Sequence, residues 1–149
     1  MTATAHAVIG TVIAAKIGNP ALAIPIALAS HLAADAIPHW DTATNGKKKD
    51  KLRFFINTAL DVFAGFAVSL VILKFLFPQT NPGYAFIIII ASQFFDWATA
   101  PYLFLNIKTP PFYWMYKFQK IFDKSLDKPW GIINQVVILI LLVAAAKIF

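Results

Sequence analysis

Three long apolar runs most constrain what this chain can fold into. They cover residues 54–77, 84–105 and 130–149. As helices rising about 1.5 Å per residue, each could cross a hydrocarbon core of about 30 Å. Hydrophobic residues make up 59% of the 149-residue sequence and charged residues only 13%, which is more apolar surface than one soluble core of this length buries. The chain is therefore predicted to form a single integral membrane domain over residues 1–149.

The N-terminal part is predicted to form a broken helical hairpin. The sequence "GNP" at 18–20 divides it into two apolar arms, and Asn19 before Pro20 is typical of a helix start. Pro38 should end the second arm, because proline has no N–H and disfavours helix at the residue before it. Counting these arms, we expect an all-α transmembrane bundle of four to five spans.

The segment 109–128 interleaves aromatic residues with lysines. This pattern indicates an amphipathic helix that lies in the headgroup layer. A packed loop between two spans is the alternative.

Positive charge predicts the orientation of the chain. Most of the basic residues fall in two clusters, Lys47 to Arg53 and Lys108 to Lys128, which flank apolar segments. The positive-inside rule places both clusters in the cytoplasm of a multi-pass inner-membrane protein. We therefore expect membrane lipids as partners and no nucleic acid, despite the net charge of +6. A homo-oligomer is left open.

Four ionisable residues lie inside apolar segments: His31, Asp35, Asp61 and Asp96. Such groups are costly in a membrane and need a partner, a water-filled cavity or a metal. In the predicted orientation, Asp61 lies about 10 Å and Asp96 about 13 Å from the cytoplasmic end of its span. His31 and Asp35 share a helix face at i and i+4. The sequence thus predicts one polar cavity that opens to the cytoplasm.

A divalent metal would balance the carboxylates of this cavity. Cysteine is absent, so the ligands must be imidazole and carboxylate, which suits zinc first and manganese or iron next. Interhelical hydrogen bonds or protonated, proton-relaying acids are the alternatives. The predicted metal ligands are His6, His31, Asp35, Asp61 and Asp96.

His39 and Asp41 follow Pro38, at the mouth of the predicted cavity. We predict that they act as a catalytic acid/base pair or as further ligands. A solvated turn after the helix explains them equally well, and His6 alone near the N-terminus is compatible with no role.

The motifs "SHLAAD" and "PHWD", preceded by an early histidine, resemble a bacterial inner-membrane family of membrane-bound metal-dependent hydrolases. The resemblance covers the first 41 residues. This sequence lacks the family's further His-Arg-x-x-Thr-His-Ser turn, so a metal site would either depend on Asp61 and Asp96, which come from the depth argument alone, or be incomplete. The resemblance implies these site residues: His6, His31, Asp35, His39 and Asp41.

Together these features predict a metal-dependent hydrolase at the cytoplasmic headgroup layer. Its expected substrate is a lipid or another amphiphilic phosphate ester. The alternative is a non-enzymatic small carrier or scaffold that uses the intramembrane acids as an ion, proton or partner site, since apolar segments interrupted by Gly and Pro also occur in transporters.

Overall fold

The computed structural model describes residues 1–44 and 50–149, and the predicted all-helical fold is confirmed there. Lys47, Lys48 and Lys49 of the first basic cluster lie outside the described residues. The described part of the chain forms seven helices: α1 (Ala3–Lys16), α2 (Pro20–Asp35), α3 (Lys51–Leu76), α4 (Pro82–Ser92), α5 (Phe94–Leu105), α6 (Phe112–Phe122) and α7 (Trp130–Ile148).

Two helices, α3 and α7, are long and apolar enough to cross a membrane. α4 and α5 would supply a third span if they cross as one unit, although they are bent by 52° at the break between them. The prediction of four to five spans was wrong. α1 and α2 are apolar but shorter than a span. The multi-pass topology and the cytoplasmic orientation stay predictions.

The helix α1 occupies the centre of the bundle, where it packs against α2, α3, α4 and α7. Most of its side chains are buried within the protein itself. A helix that is apolar on all sides is buried, and here protein rather than lipid surrounds it. Gly10 allows α4 to come close, because a Cβ at this position would lie 2.5 Å from Ser92 Oγ.

The helix α2 begins and ends where local chemistry predicts. The Asn19 side chain accepts a hydrogen bond from the Ala21 N–H at 2.9 Å, and Pro20 occupies the first turn. The helix ends at Asp35, with Pro38 shortly after it. α1 and α2 therefore form the predicted helical hairpin, in which α1 is mostly buried and α2 buries one face.

The segment after α6 returns to the end of α2 through backbone hydrogen bonds. The Lys124 N–H donates to the Asp35 carbonyl at 3.0 Å, and the His39 N–H donates to the Lys124 carbonyl at 3.1 Å. The Leu126 N–H then donates to the His39 carbonyl at 2.5 Å. These three bonds bring residues 123–126 against residues 35–39.

The start of α7 packs tightly against the same turn. At Gly131 a Cβ would lie 2.2 Å from the Leu126 carbonyl oxygen and 2.7 Å from the Trp40 nitrogen. The Asn134 side chain donates to the Pro38 carbonyl at 2.5 Å. Residues far apart in sequence thus fix the conformation of residues 38–41.

The helix α6 corresponds to the predicted amphipathic segment. It packs on α5, where the rings of Tyr102 and Tyr116 have centroids 4.5 Å apart. Its location in a headgroup layer stays a prediction.

Candidate metal centre

The first group of metal-ligating side chains comprises His6 of α1, His31 of α2 and Asp96 of α5. One ligand atom from each lies within 4.8 Å of the others. The two imidazole rings stack with centroids 3.8 Å apart and planes inclined by 11°. His31 Nε2 lies 3.6 Å from Asp96 Oδ1. Three helices therefore contribute one donor each to a compact set.

The second group comprises His39, Asp41 and Asp123, whose ligand atoms also lie within 4.8 Å of one another. His39 Nε2 lies 3.7 Å from Asp41 Oδ2 and 3.4 Å from Asp123 Oδ1. The group depends on the backbone bonds between residues 35–39 and 123–126, since these place Asp123 opposite His39.

Asp35 lies between the two groups. Its Oδ2 is 3.3 Å from His31 Nε2, and its Oδ1 is 3.3 Å from His6 Nε2 and 3.8 Å from His39 Nε2. The amino group of Met1 also contacts Oδ1. Asp35 thus joins histidines of both groups, and its side chain is only 3% exposed.

Backbone carbonyls orient two of the histidines. His31 Nδ1 lies 2.8 Å from the Ser92 carbonyl oxygen and His39 Nδ1 lies 2.7 Å from the Ile37 carbonyl oxygen. A carbonyl only accepts, so each Nδ1 carries the hydrogen. In the neutral ring, Nε2 then presents a lone pair to the carboxylates. Metal-ligating histidines characteristically have this arrangement.

Several buried nitrogens in the cluster make no hydrogen bond. Both ring nitrogens of His6 and the Nε2 of His39 are buried without a hydrogen-bond partner. Polar atoms of this kind are costly to bury. A divalent cation would satisfy Nε2 of His6 and His39, and a set of imidazoles and carboxylates suits zinc, manganese or iron. The residues present therefore fit a metal ion, although its identity is not determined.

The charge state of the second group follows from its contacts. Burial opposes the charged imidazolium of His39, but the Asp123 and Asp41 carboxylates beside it outweigh burial and raise its pKa to about 9. Burial likewise disfavours the charged carboxylates, whereas the neighbouring His39 imidazole holds the pKa of Asp41 and Asp123 below the usual value. Lys120 also bonds Asp123. Without a metal, this group is a network of ion pairs.

Two carboxylates of the cluster are partly exposed. The side chains of His31 and His39 are 0% exposed, whereas those of Asp41 and Asp96 are 16% and 37% exposed. The Gln119 amide donates to Asp96 Oδ1 at 2.9 Å and lies 3.1 Å from His31 Nε2. The histidines are therefore shielded from solvent, while each group keeps one carboxylate that solvent reaches.

The structure brings together all the residues predicted for the site except one. The exception is Asp61 of α3, which accepts hydrogen bonds from the backbone of Ala3 at 2.7 Å and from the Thr4 hydroxyl at 2.7 Å. It holds the start of α1 and belongs to neither group, so we leave it out of the proposed ligands. Those brought together are His6, His31, Asp35, His39, Asp41 and Asp96.

Two residues of the cluster were not predicted from the sequence. Gln119 and Asp123 lie at i and i+4, on or just after α6. Their spacing is that of residues on one helix face, but the sequence predicts that this segment lies in the headgroup layer. In the structure, α6 packs against α5 and α2, and the residues after α6 bond to the end of α2, so both side chains face the cluster.

Comparisons with known proteins add no assignment. No protein-family model, no curated protein and no solved structure matches this chain.

Proposed function

We propose that this protein is a membrane-associated, metal-dependent hydrolase that acts on a phosphate ester of an amphiphile. The observation that carries the proposal is the orientation of His31 and His39. Each donates through Nδ1 to a backbone carbonyl and presents Nε2 to buried carboxylates. A structural histidine has no need of several anionic neighbours, whereas a metal ligand commonly has them.

A bound divalent cation would supply an activated water and polarise a phosphoryl oxygen. The protein's own contribution is to hold the ligands rigidly and to leave the Asp41 and Asp96 carboxylates partly exposed. The Ser92 and Ile37 carbonyls fix two imidazoles, and Lys120 and Ser125 hold Asp123. The neutral Gln119 amide would hold the Asp96 carboxylate in place.

The surroundings of the cluster favour an amphiphilic substrate. A cavity of about 370 Å³ lies beside the His39 turn, lined by residues that include Trp40, Leu60 and Lys128. The Lys128 ammonium lies 4.1 Å from the centroid of the Trp40 ring. Thr42, Asn57 and the Asp61 carboxylate complete the lining. The cavity therefore presents both charged and apolar surfaces, which suits an amphiphile. Trp114 and Trp130 are exposed, and exposed tryptophans are typical of a membrane interface.

The test is hydrolysis by the full chain in detergent. The protein is stripped with a chelator, reloaded with zinc or manganese, and assayed on a short-chain phospholipid in mixed micelles and on a water-soluble chromogenic phosphodiester. We expect activity only after reloading. Faster turnover in micelles than in solution supports the amphiphile, and the reverse points to a soluble ester.

The matched variants are His31→Gln and Asp127→Asn. Loss of an outer-shell partner of a metal ligand typically lowers activity about 10–100-fold. His31→Gln removes a proposed ligand itself, so we expect a larger loss of activity. Asp127 is an exposed carboxylate four residues beyond Asp123, and Asp127→Asn should leave activity unchanged. Metal-loaded protein that hydrolyses neither ester would overturn the proposal and favour the carrier or scaffold alternative.

A further inference from the structure

We infer that the cluster is a dinuclear centre in which the Asp35 carboxylate bridges two divalent cations. The inference rests on the metal binding of the proposed function but not on its hydrolytic step. One cation would take His6, His31 and Asp96, and the other His39, Asp41 and Asp123.

Asp35 occupies the position of a bridging ligand between the two groups. Its two oxygens face different histidines: Oδ2 faces His31, and Oδ1 lies between His6 and His39. A carboxylate has two oxygens with separate lone pairs and can therefore bind two cations at once. Among the described acidic residues, only Asp35 is within ion-pair distance of histidines from both groups.

The distances fit direct coordination. Donors bound to one ion at about 2.0–2.2 Å each lie no more than about 4.4 Å apart. The pairs that join Asp35 to its three histidines span 3.3 to 3.8 Å. The cluster can therefore receive cations with small side-chain adjustments. A carboxylate bridge also matches the separation of about 3.5–4 Å that is typical of two-metal sites.

The charges of the cluster favour a bound cation. Four carboxylates surround the three histidines, those of Asp35, Asp41, Asp96 and Asp123. In the described part of the chain, Asp123 pairs with Lys120 and Asp35 with the Met1 amino group. Buried like charges repel strongly in a medium of low dielectric constant. One divalent cation would neutralise the two remaining negative charges, so the charges support metal binding, and the inference of a second cation rests on the position of Asp35.

The inference gives His39 and Asp41 a role other than the predicted acid/base pair. His39 Nε2 faces Asp35, Asp41 and Asp123 within 3.8 Å and makes no hydrogen bond. A general base must reach a substrate or a water, whereas three anions surround this nitrogen. Ligation of a second cation uses the same geometry directly.

The experiment uses manganese, because its electron paramagnetic resonance separates isolated from coupled ions. The chelator-stripped full chain in detergent is loaded with manganese and desalted, and bound metal is measured by elemental analysis. We expect two manganese ions per chain with the spectrum of an exchange-coupled pair. Asp123→Asn should bind one ion with the spectrum of an isolated centre, and Asp127→Asn should behave like the parent.

Asp35→Asn tests the bridge itself. We expect loss of the coupled spectrum, with circular dichroism reporting whether the variant stays folded. If it does not fold, Asp123→Asn alone carries the test. One ion per chain in the parent, two uncoupled ions, or two coupled ions in Asp123→Asn would each overturn the inference. None of these results depends on hydrolysis, so absent activity with two coupled ions would overturn only the proposed function.

Discussion

The imidazole rings of His6 and His31 lie nearly parallel, 3.8 Å apart, and their Nε2 atoms face different oxygens of one buried carboxylate. One ring comes from α1 and the other from α2, so the helical hairpin aligns them. His6 Nε2 is buried without a hydrogen-bond partner, whereas His31 Nε2 lies 3.1 Å from the Gln119 amide nitrogen. This alignment places two metal donors side by side.

His6→Phe separates packing from ligation at this stack. Phenylalanine keeps a ring of similar size but lacks both nitrogens, which are buried without a hydrogen-bond partner. We expect the unfolding midpoint of the metal-free protein to stay equal or rise, because unsatisfied polar atoms are removed. Zinc affinity, measured by chelator competition, should fall by at least about 10–100-fold. Unchanged affinity would exclude His6 as a ligand.

Asp61→Asn should affect stability rather than metal content. The Asp61 carboxylate accepts hydrogen bonds from Ala3 and Thr4 at the start of α1. An asparagine there would replace one accepting oxygen by an NH2 group that faces these N–H and O–H donors. Hydrogen bonds to a charged group contribute about 1.5–3 kcal/mol, so the unfolding midpoint in detergent should drop. Zinc per chain should equal that of the parent. A loss of zinc from a folded variant would restore Asp61 to the ligand set.

Gly10→Ala should loosen the contact between α1 and α4. The new Cβ would lie 2.5 Å from Ser92 Oγ and 3.0 Å from Ile89 Cα, so the helices must separate. Overpacking of this kind costs about 1–3 kcal/mol, and it moves Ser92, whose carbonyl orients His31. The matched change is Gly18→Ala, where a Cβ meets nothing within 4 Å. Thermal unfolding should separate the two variants, and equal midpoints would contradict the packing described.

The metal-free protein should lose stability at alkaline pH through His39. Its pKa is about 9 in the folded protein against 6.5 for an ordinary histidine. The stabilisation is therefore fully present below about pH 6.5 and is lost as the pH rises through about 9. Asp41 and Asp123 have a lowered pKa and therefore act in the opposite direction. Their stabilisation is fully present above about pH 3.8, the ordinary aspartate pKa, and is lost as the pH falls further. Unfolding midpoints across this range check the prediction.

The control for this pH dependence is His39→Gln, which removes the titrating ring. Its unfolding midpoint should change much less between pH 6.5 and about 9 than that of the parent. A parent midpoint that stays constant or rises over this interval would contradict the ion-pair network.

The long helices could be predicted from the sequence because their signal is local. The apolar runs 54–77 and 130–149 correspond to α3 and α7 within a few residues. The start of α2 followed from two adjacent residues, Asn19 and Pro20. Each of these features depends on neighbouring residues along the chain, which a single sequence contains in full.

The span count and one of the three residues of the second metal group, Asp123, could not be predicted. Apolar composition indicates that a helix is shielded from water, but it does not show whether lipid or protein provides the shielding. In the structure, other helices of the protein surround α1. Asp123 reaches His39 through backbone bonds between distant segments, which leave no periodic pattern. The sequence predicts a similar depth for Asp61 and the other acids, but depth alone does not determine the direction in which a side chain points.

The central claim is that this cluster binds divalent metal through its histidines. The most direct measurement is elemental analysis of the full chain in detergent after zinc loading and desalting, beside His31→Gln and Asp127→Asn. We predict stoichiometric zinc in the parent and in Asp127→Asn, and a substantial loss in His31→Gln. A parent protein without bound metal after supply of zinc, manganese and iron would contradict the account.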